Sequence, residues 1–130
     1  MKYRFAEFEI DLGLHELRRR GSPIHAEPQV FDLTVHLVRN HDRVVSKDEL
    51  IDNIWNGRII SEAAFSSRIN GARRMLGDSG TEQQFIKTLH RRGFRFVGDV
   101  EERLGRRHGQ ARTWRGRRLG MLSAEYFRSR

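Results

Sequence analysis

Ser66, Ser67, Asn70, Arg73 and Arg74 stand close together in the second half of the chain, and Thr88, His90, Arg91 and Arg92 follow shortly after. Their chemistry is that of hydrogen-bond donors and fixed positive charge. An asparagine amide can match adenine bidentately, an arginine fork matches guanine or a phosphate, and serines are short enough to allow close approach. Catalytic groupings are missing beside them. The chain has no cysteine, which excludes a thiol nucleophile, a thiolate metal site and a disulfide scaffold. No glycine-rich phosphate loop follows a strand pattern, and there is no nucleophile elbow. Of the six histidines, His36 and His41 are five apart and off a shared helical face, so surface histidines are expected rather than metal ligands. Asp48, Glu49 and Asp52 occupy the first turns of a predicted helix, where compensation of the helix dipole accounts for them. The expectation is a non-enzymatic protein without cofactor or metal.

Three helices are predicted to position these groups. Pro28 suits a first helical turn, and Val30, Phe31, Leu33, Thr34, Leu37 and Val38 then recur at helical spacing. Ser46-Lys-Asp-Glu49 reads as a capping box, in which the serine hydroxyl and glutamate carboxylate satisfy the first free amides. Its helix continues through Leu50, Ile51, Ile54 and Trp55 to a stop at Gly57. Ser61 is the expected N-cap of a third helix, residues 61–76, halted by Gly77-Asp-Ser-Gly80. At about 100° per residue, Phe65, Ile69, Ala72 and Leu76 share one face of it. The opposite face carries Ala63, Ser67, Asn70, Gly71 and Arg74, with Ser66 and Arg73 on one flank and Arg68 on the other. No acidic side chain follows Glu62 there.

Strand patterns flank the helices. Tyr3 to Leu12 alternates apolar and polar residues, and His15 to Pro23 adds short extended pieces, so three or four antiparallel strands are expected in Met1–His25. Phe85–Leu89 and Phe94–Val97 form a predicted hairpin over residues 85–97, turned at His90-Arg-Arg-Gly93, with Lys87 and Arg95 nearby. The fold class is α+β: an N-terminal antiparallel sheet, three helices and a C-terminal hairpin.

The 130 residues carry 25 Lys+Arg and 17 Asp+Glu, a net charge of +8, and a pI of about 11.1. Hydrophobic residues make up 37%, enough for a modest core. Residues 1–102 are neutral, so the excess lies beyond them. Arg58–Gly98 nevertheless holds eight basic and three acidic residues. A local cationic region can be held rigidly against phosphates, and is the sharper signal for nucleic acid. The domain is expected at 1–98, followed by a basic, disordered tail at 99–130. Three readings of that tail stay open: an inert extension, a sequence-independent grip on nucleic acid, or an attachment to anionic membrane through Trp114, Leu119, Met121, Leu122, Tyr126 and Phe127. No apolar run approaches the ~20 residues of a membrane span. The N-terminus lacks a signal-peptide pattern, and a cytoplasmic location is expected.

Val44-Val-Ser-Lys-Asp-Glu-Leu50 with Ile54-Trp55, then Ile69-Asn-Gly-Ala-Arg-Arg-Met-Leu-Gly-Asp78, then Ile86-Lys-Thr-Leu-His-Arg-Arg-Gly-Phe-Arg-Phe96 resemble one family. Residues 1–98 look like the winged-helix DNA-binding domain of OmpR/PhoB-type transcriptional regulators, including the receiver-less branch related to CadC and ToxR. The resemblance implies double-stranded DNA as partner, helix three in the major groove and the hairpin wing on the adjacent minor groove. Carried over by position, Ser66, Ser67, Asn70, Arg73 and Arg74 would read bases or backbone. Thr88, His90, Arg91 and Arg92 would be hairpin contacts. RNA polymerase is a further candidate partner. The chain departs from the family at Asn70-Gly71, where many members carry two basic residues, so an operator sequence does not transfer. No receiver or sensor accompanies the domain here, and the expectation is a monomer in solution that pairs on tandem DNA half-sites. The rival reading is a winged helix serving as a protein-interaction module, with the basic tail binding nucleic acid non-specifically.

Overall fold

A computed structural model describes residues 1–103. In chain order they form β1 (Lys2–Phe5), β2 (Phe8–Asp11), β3 (Glu16–Arg19), β4 (Ser22–Ile24), α1 (Pro28–Arg39), α2 (Lys47–Trp55), α3 (Glu62–Met75), β5 (Ile86–Leu89), β6 (Gly93–Phe96) and β7 (Glu101–Arg103). They divide into two compact units, His25–Gly98 and the segments on either side of it. The expected α+β architecture is present in full. The three tail readings concern side chains beyond the described residues.

The flanking unit is a five-stranded antiparallel sheet in the order β4-β3-β2-β1-β7. The period-2 pattern does what it implies: Tyr3, Phe5, Phe8, Ile10 and Leu17 are buried while their neighbours face outward. The Phe5 and Phe8 rings stack with centroids 5.5 Å apart. Glu7 accepts from both Arg19 and Arg20 beside the first turn. One boundary differs from expectation. Glu101–Arg103 pairs with β1, with Arg4 donating to Glu101 at 2.7 Å, so the folded chain runs past residue 98. The acidic Asp99–Glu102 run leads into this edge strand, where Glu101 stands opposite Arg4 and Glu102 opposite Tyr3. Val100, buried within it, was the apolar signal.

In the helical unit, Val30, Phe31, Leu33, Thr34, Val35, Leu37 and Val38 are all buried along α1. Ser46 caps α2, its Oγ accepting from Glu49 N at 3.1 Å. The glutamate half of the expected capping box is absent. The Glu49 carboxylate instead accepts from Arg43 and from His36 Nε2, the latter at 2.7 Å. Two charge-assisted bonds to α1 and its following loop outcompete one bond to a local amide. His36 is therefore half-buried and His41 is buried, so neither is the surface histidine expected. Helix α2 ends at Asn56 in the left-handed region (φ 54°), one residue before Gly57.

Candidate nucleic-acid interface

Helix α3 is started by Ser61, whose Oγ accepts from Ala64 N at 3.1 Å. It is seated by the predicted face: Phe65, Ile69, Ala72 and Leu76 are buried. Phe65 is the pivot. Its ring lies 6.0 Å from Trp55 on α2 and 5.7 Å from Phe94 on β6, and Lys47 Nζ sits 5.3 Å over it. The cation–π contact and the Lys47–Glu62 ion pair fix the first turn of α3 to the start of α2. Gly71 belongs to the seated side as well. A Cβ there would stand 3.3 Å from Val30 Cγ2, so the missing side chain lets α3 approach α1.

With that face buried, Ser66, Ser67, Asn70 and Arg74 are left exposed on the other. The hairpin is held beside them by its own closures. Val45 and Phe94 exchange backbone hydrogen bonds at 2.7 and 2.8 Å, tying the α1–α2 link to β6. Gly93 permits that approach: φ is +135°, and a Cβ would fall 2.1 Å from Val45 O. The turn closes by Arg92 N donating to Leu89 O at 2.9 Å, with Arg91 in the left-handed region at φ 63°. His90, Arg91 and Arg92 are exposed at its tip. Thr88, Lys87 and Arg95 are exposed on the strands, and Lys87 stands directly opposite Arg95 in the register. Like charges so placed cost a hairpin stability in isolation.

Eight of the nine sequence-predicted contact residues thus lie at the surface, and the ninth does not. Arg73 is only 6% exposed. Its Nε and Nη2 donate to Ile86 O at 3.2 and 3.1 Å, and Nη2 also donates to Thr88 Oγ1 at 2.7 Å. Burial lowers its pKa from the ordinary guanidinium value, opposed by the nearby Asp78 carboxylate. The helical wheel put Arg73 on the flank of the open face, but that flank is where β5 packs.

Two groups that build the site were not singled out from the sequence. Asp78 is buried after α3 and accepts from the amides of Ser79 and Gln84 at 2.7 Å, Phe85 at 2.9 Å and Ile86 at 3.1 Å. Burial pushes its carboxyl up, and these four donors more than offset that, leaving it below the usual value. Gln83 accepts from Thr88 N at 3.0 Å. The Gly77-Asp-Ser-Gly80 turn was a signal for Asp78; nothing local marked Gln83. Gln29, at the start of α1, similarly accepts from Arg68 Nε at 2.9 Å and draws that flank arginine onto α1. Among the described residues no cluster of His, Cys, Asp or Glu could hold a metal, and no helix is long and apolar enough to cross a membrane.

Comparison with known proteins places this geometry. The family model "Transcriptional regulatory protein, C terminal" matches residues 21–96. The chain is 29% identical over 98 residues to the transcriptional activator CadC of Escherichia coli, covering 75% of this chain and 19% of CadC. It is 34% identical over 80 residues to protein RcaC of Microchaete diplosiphon, covering 61% and 12%. It therefore spans about a fifth or less of these relatives. The solved DNA-binding domain of E. coli CadC superposes with a TM-score of 0.65 at 28% identity, over 76% of this chain and 94% of that one. The Klebsiella pneumoniae RstA DNA-binding domain, solved in complex with the RstA box, shares the fold at TM-score 0.66 and 23% identity, over 73% and 95%. The buried seat of α3, its open polar face and the adjoining hairpin are thus those of a winged helix, and the chain belongs to the OmpR/PhoB-type family of DNA-binding domains of transcriptional regulatory proteins.

Proposed function

We propose that the domain recognises double-stranded DNA sequence-specifically, as a non-enzymatic, cytoplasmic bacterial transcription regulator. Helix α3 enters the major groove, and the wing over residues 85–97 lies on the adjacent minor groove and backbone. The observation that carries this reading is the exposed side of α3. Ser66, Ser67, Asn70 and Arg74 form a short, polar and cationic surface, and Glu62 at the first turn is the only carboxylate on the helix. Small residues permit close approach, Asn70 and Arg74 supply base-reading groups, and His90, Arg91 and Arg92 supply backbone contacts. The opposed Lys87 and Arg95 support the same reading, because a phosphate between them converts a repulsion into two attractions. RNA polymerase is the further partner on this reading, and the chain is a monomer that pairs on tandem half-sites.

In vitro selection of bound DNA from a random pool tests specificity and half-site number together. A defined motif, repeated in tandem where two copies bind, is expected. Recovery of unselected sequence would defeat the specific-reader assignment. A stable dimer at micromolar concentration without DNA, seen by sedimentation, would contradict the monomer.

A further inference from the structure

Arg73 is a buried cation whose guanidinium is spent on a carbonyl and a hydroxyl rather than on a carboxylate. Asp78, the nearby acid, has its oxygens engaged by four backbone amides. The charge of Arg73 is thus not cancelled by a direct ion pair among the described residues. A hydroxyl has one proton and two acceptor lone pairs. With Arg73 Nη2 donating to Thr88 Oγ1 at 2.7 Å, the Thr88 proton cannot point back at Arg73. The Thr88 amide is already given to Gln83 Oε1 at 3.0 Å, and among the described residues none accepts the Thr88 hydroxyl proton. Thr88 itself is exposed. The arrangement leaves one oriented, polarised donor at the root of the wing.

We propose that Arg73 is a positioning residue that holds the Thr88 hydroxyl as a donor to a DNA phosphate, in a chain running from guanidinium N–H to Thr88 oxygen to phosphate oxygen. This rests on the reading above that Thr88 faces DNA. Arg73 then contributes to binding through Thr88, without touching nucleic acid. The donor already polarised by a cation forms the stronger outward bond. Arg73 also ties α3 to β5 through Ile86 O, so the groove-entering helix and the phosphate donor move as one piece.

A double-mutant cycle on the full 130-residue chain tests this, reading dissociation constants for a selected DNA site and, separately, the melting temperature. Thr88→Val, which removes only the hydroxyl, is expected to weaken binding about tenfold, as does loss of one hydrogen bond to a charged group. Arg73→Met should weaken it similarly, the double variant should bind no worse than the weaker single, and Thr88→Ser should stay near wild type. The melting-temperature loss from Arg73→Met should be smaller in the Thr88→Val background, where only the bonds to Ile86 O remain to be lost. Should Arg73→Met not fold, Arg73→Gln, which removes the charge while keeping a polar group for Ile86 O, takes its place in the cycle. A loss from the Arg73 change that is equally large in the Thr88→Val background would overturn the relay, since Arg73 would then act on DNA or on the fold independently. Unchanged affinity for Thr88→Val with weakened binding for Arg91→Ala would also overturn it, while leaving the interface standing. Unchanged affinity for both would bring down the interface reading as well.

Discussion

Asn70 offers an amide on the exposed side of α3, where its neighbours Ser66, Ser67 and Arg74 leave room for a base edge. Asn70→Ala is expected to lose about 1–3 kcal/mol at one base position and to relax preference there, read by repeating the selection with the variant. An unchanged motif would remove Asn70 from the reading set. Gly93 is decided by backbone alone. A Cβ at 2.1 Å from Val45 O, at φ +135°, cannot be accommodated without breaking the Val45–Phe94 bonds. Gly93→Ala should cost at least about 3 kcal/mol in chemical denaturation. Composition and helical spacing made Asn70 legible in the sequence. They misplaced Arg73 because a wheel records angle about one axis and not what packs on it. Side chains on a flank are exposed or buried according to where the next element lands, here β5 held by Asp78. For Gly93 the sequence marked the turn but not the approach of Val45, which lies far away along the chain.

The elements were legible wherever a local rule carried them. Apolar periodicity found α1, capping serines found the starts of α2 and α3, alternation found β1 and β2, and the turn at Gly21-Ser-Pro marked the strand piece that became β3. β7 was not found, because three polar residues on an edge carry no alternation and owe their place to pairing with β1. Helix α3 rests on two local devices that can be tested apart. Ser61→Ala removes the hydroxyl that accepts from Ala64 N and should cost about 1 kcal/mol of stability. Gly71→Ala sets two terms against each other. Helix propensity favours alanine by roughly 0.5–1 kcal/mol, while the added methyl meets Val30 Cγ2 at 3.3 Å. Val30 is buried and has little freedom to yield, so the gain should be cancelled, giving a change within about 0.5 kcal/mol of zero in thermal or denaturant unfolding. A full propensity gain would mean that α3 is free to move off α1.

At the scale of the whole molecule, total charge and useful charge separate. The net +8 lies beyond residue 102, whereas the cations of the proposed interface belong to a domain that is otherwise balanced by its acids. Those acids are also where the fold is sensitive to pH. Arg43, whose guanidinium donates to the Glu49 carboxylate, is the main cause of a Glu49 pKa lowered to about 2; partial burial opposes this, and His36 adds to it. Asp78 is lowered too, since its four amide bonds outweigh burial. Both groups bind protons more weakly when folded than when unfolded. Their stabilisation is therefore complete above the ordinary carboxylate range, near pH 4.5 for Glu49, and is lost as pH falls toward its folded value. Stability should be flat in this respect at neutral pH and decline between about pH 4.5 and pH 2, with no matching loss on the alkaline side. Glu49→Gln should lower stability at pH 7 by about 1–2 kcal/mol, the solvent-facing side of the Arg43 pair limiting the figure. It should also flatten the acid decline, because a neutral amide has no proton to gain. The variant and wild-type curves, measured by urea unfolding at a series of pH values, should converge toward pH 2. Parallel curves down to that pH would mean that Glu49 stabilises the helical unit by packing alone, and that its bonds to Arg43 and His36 contribute nothing as charge.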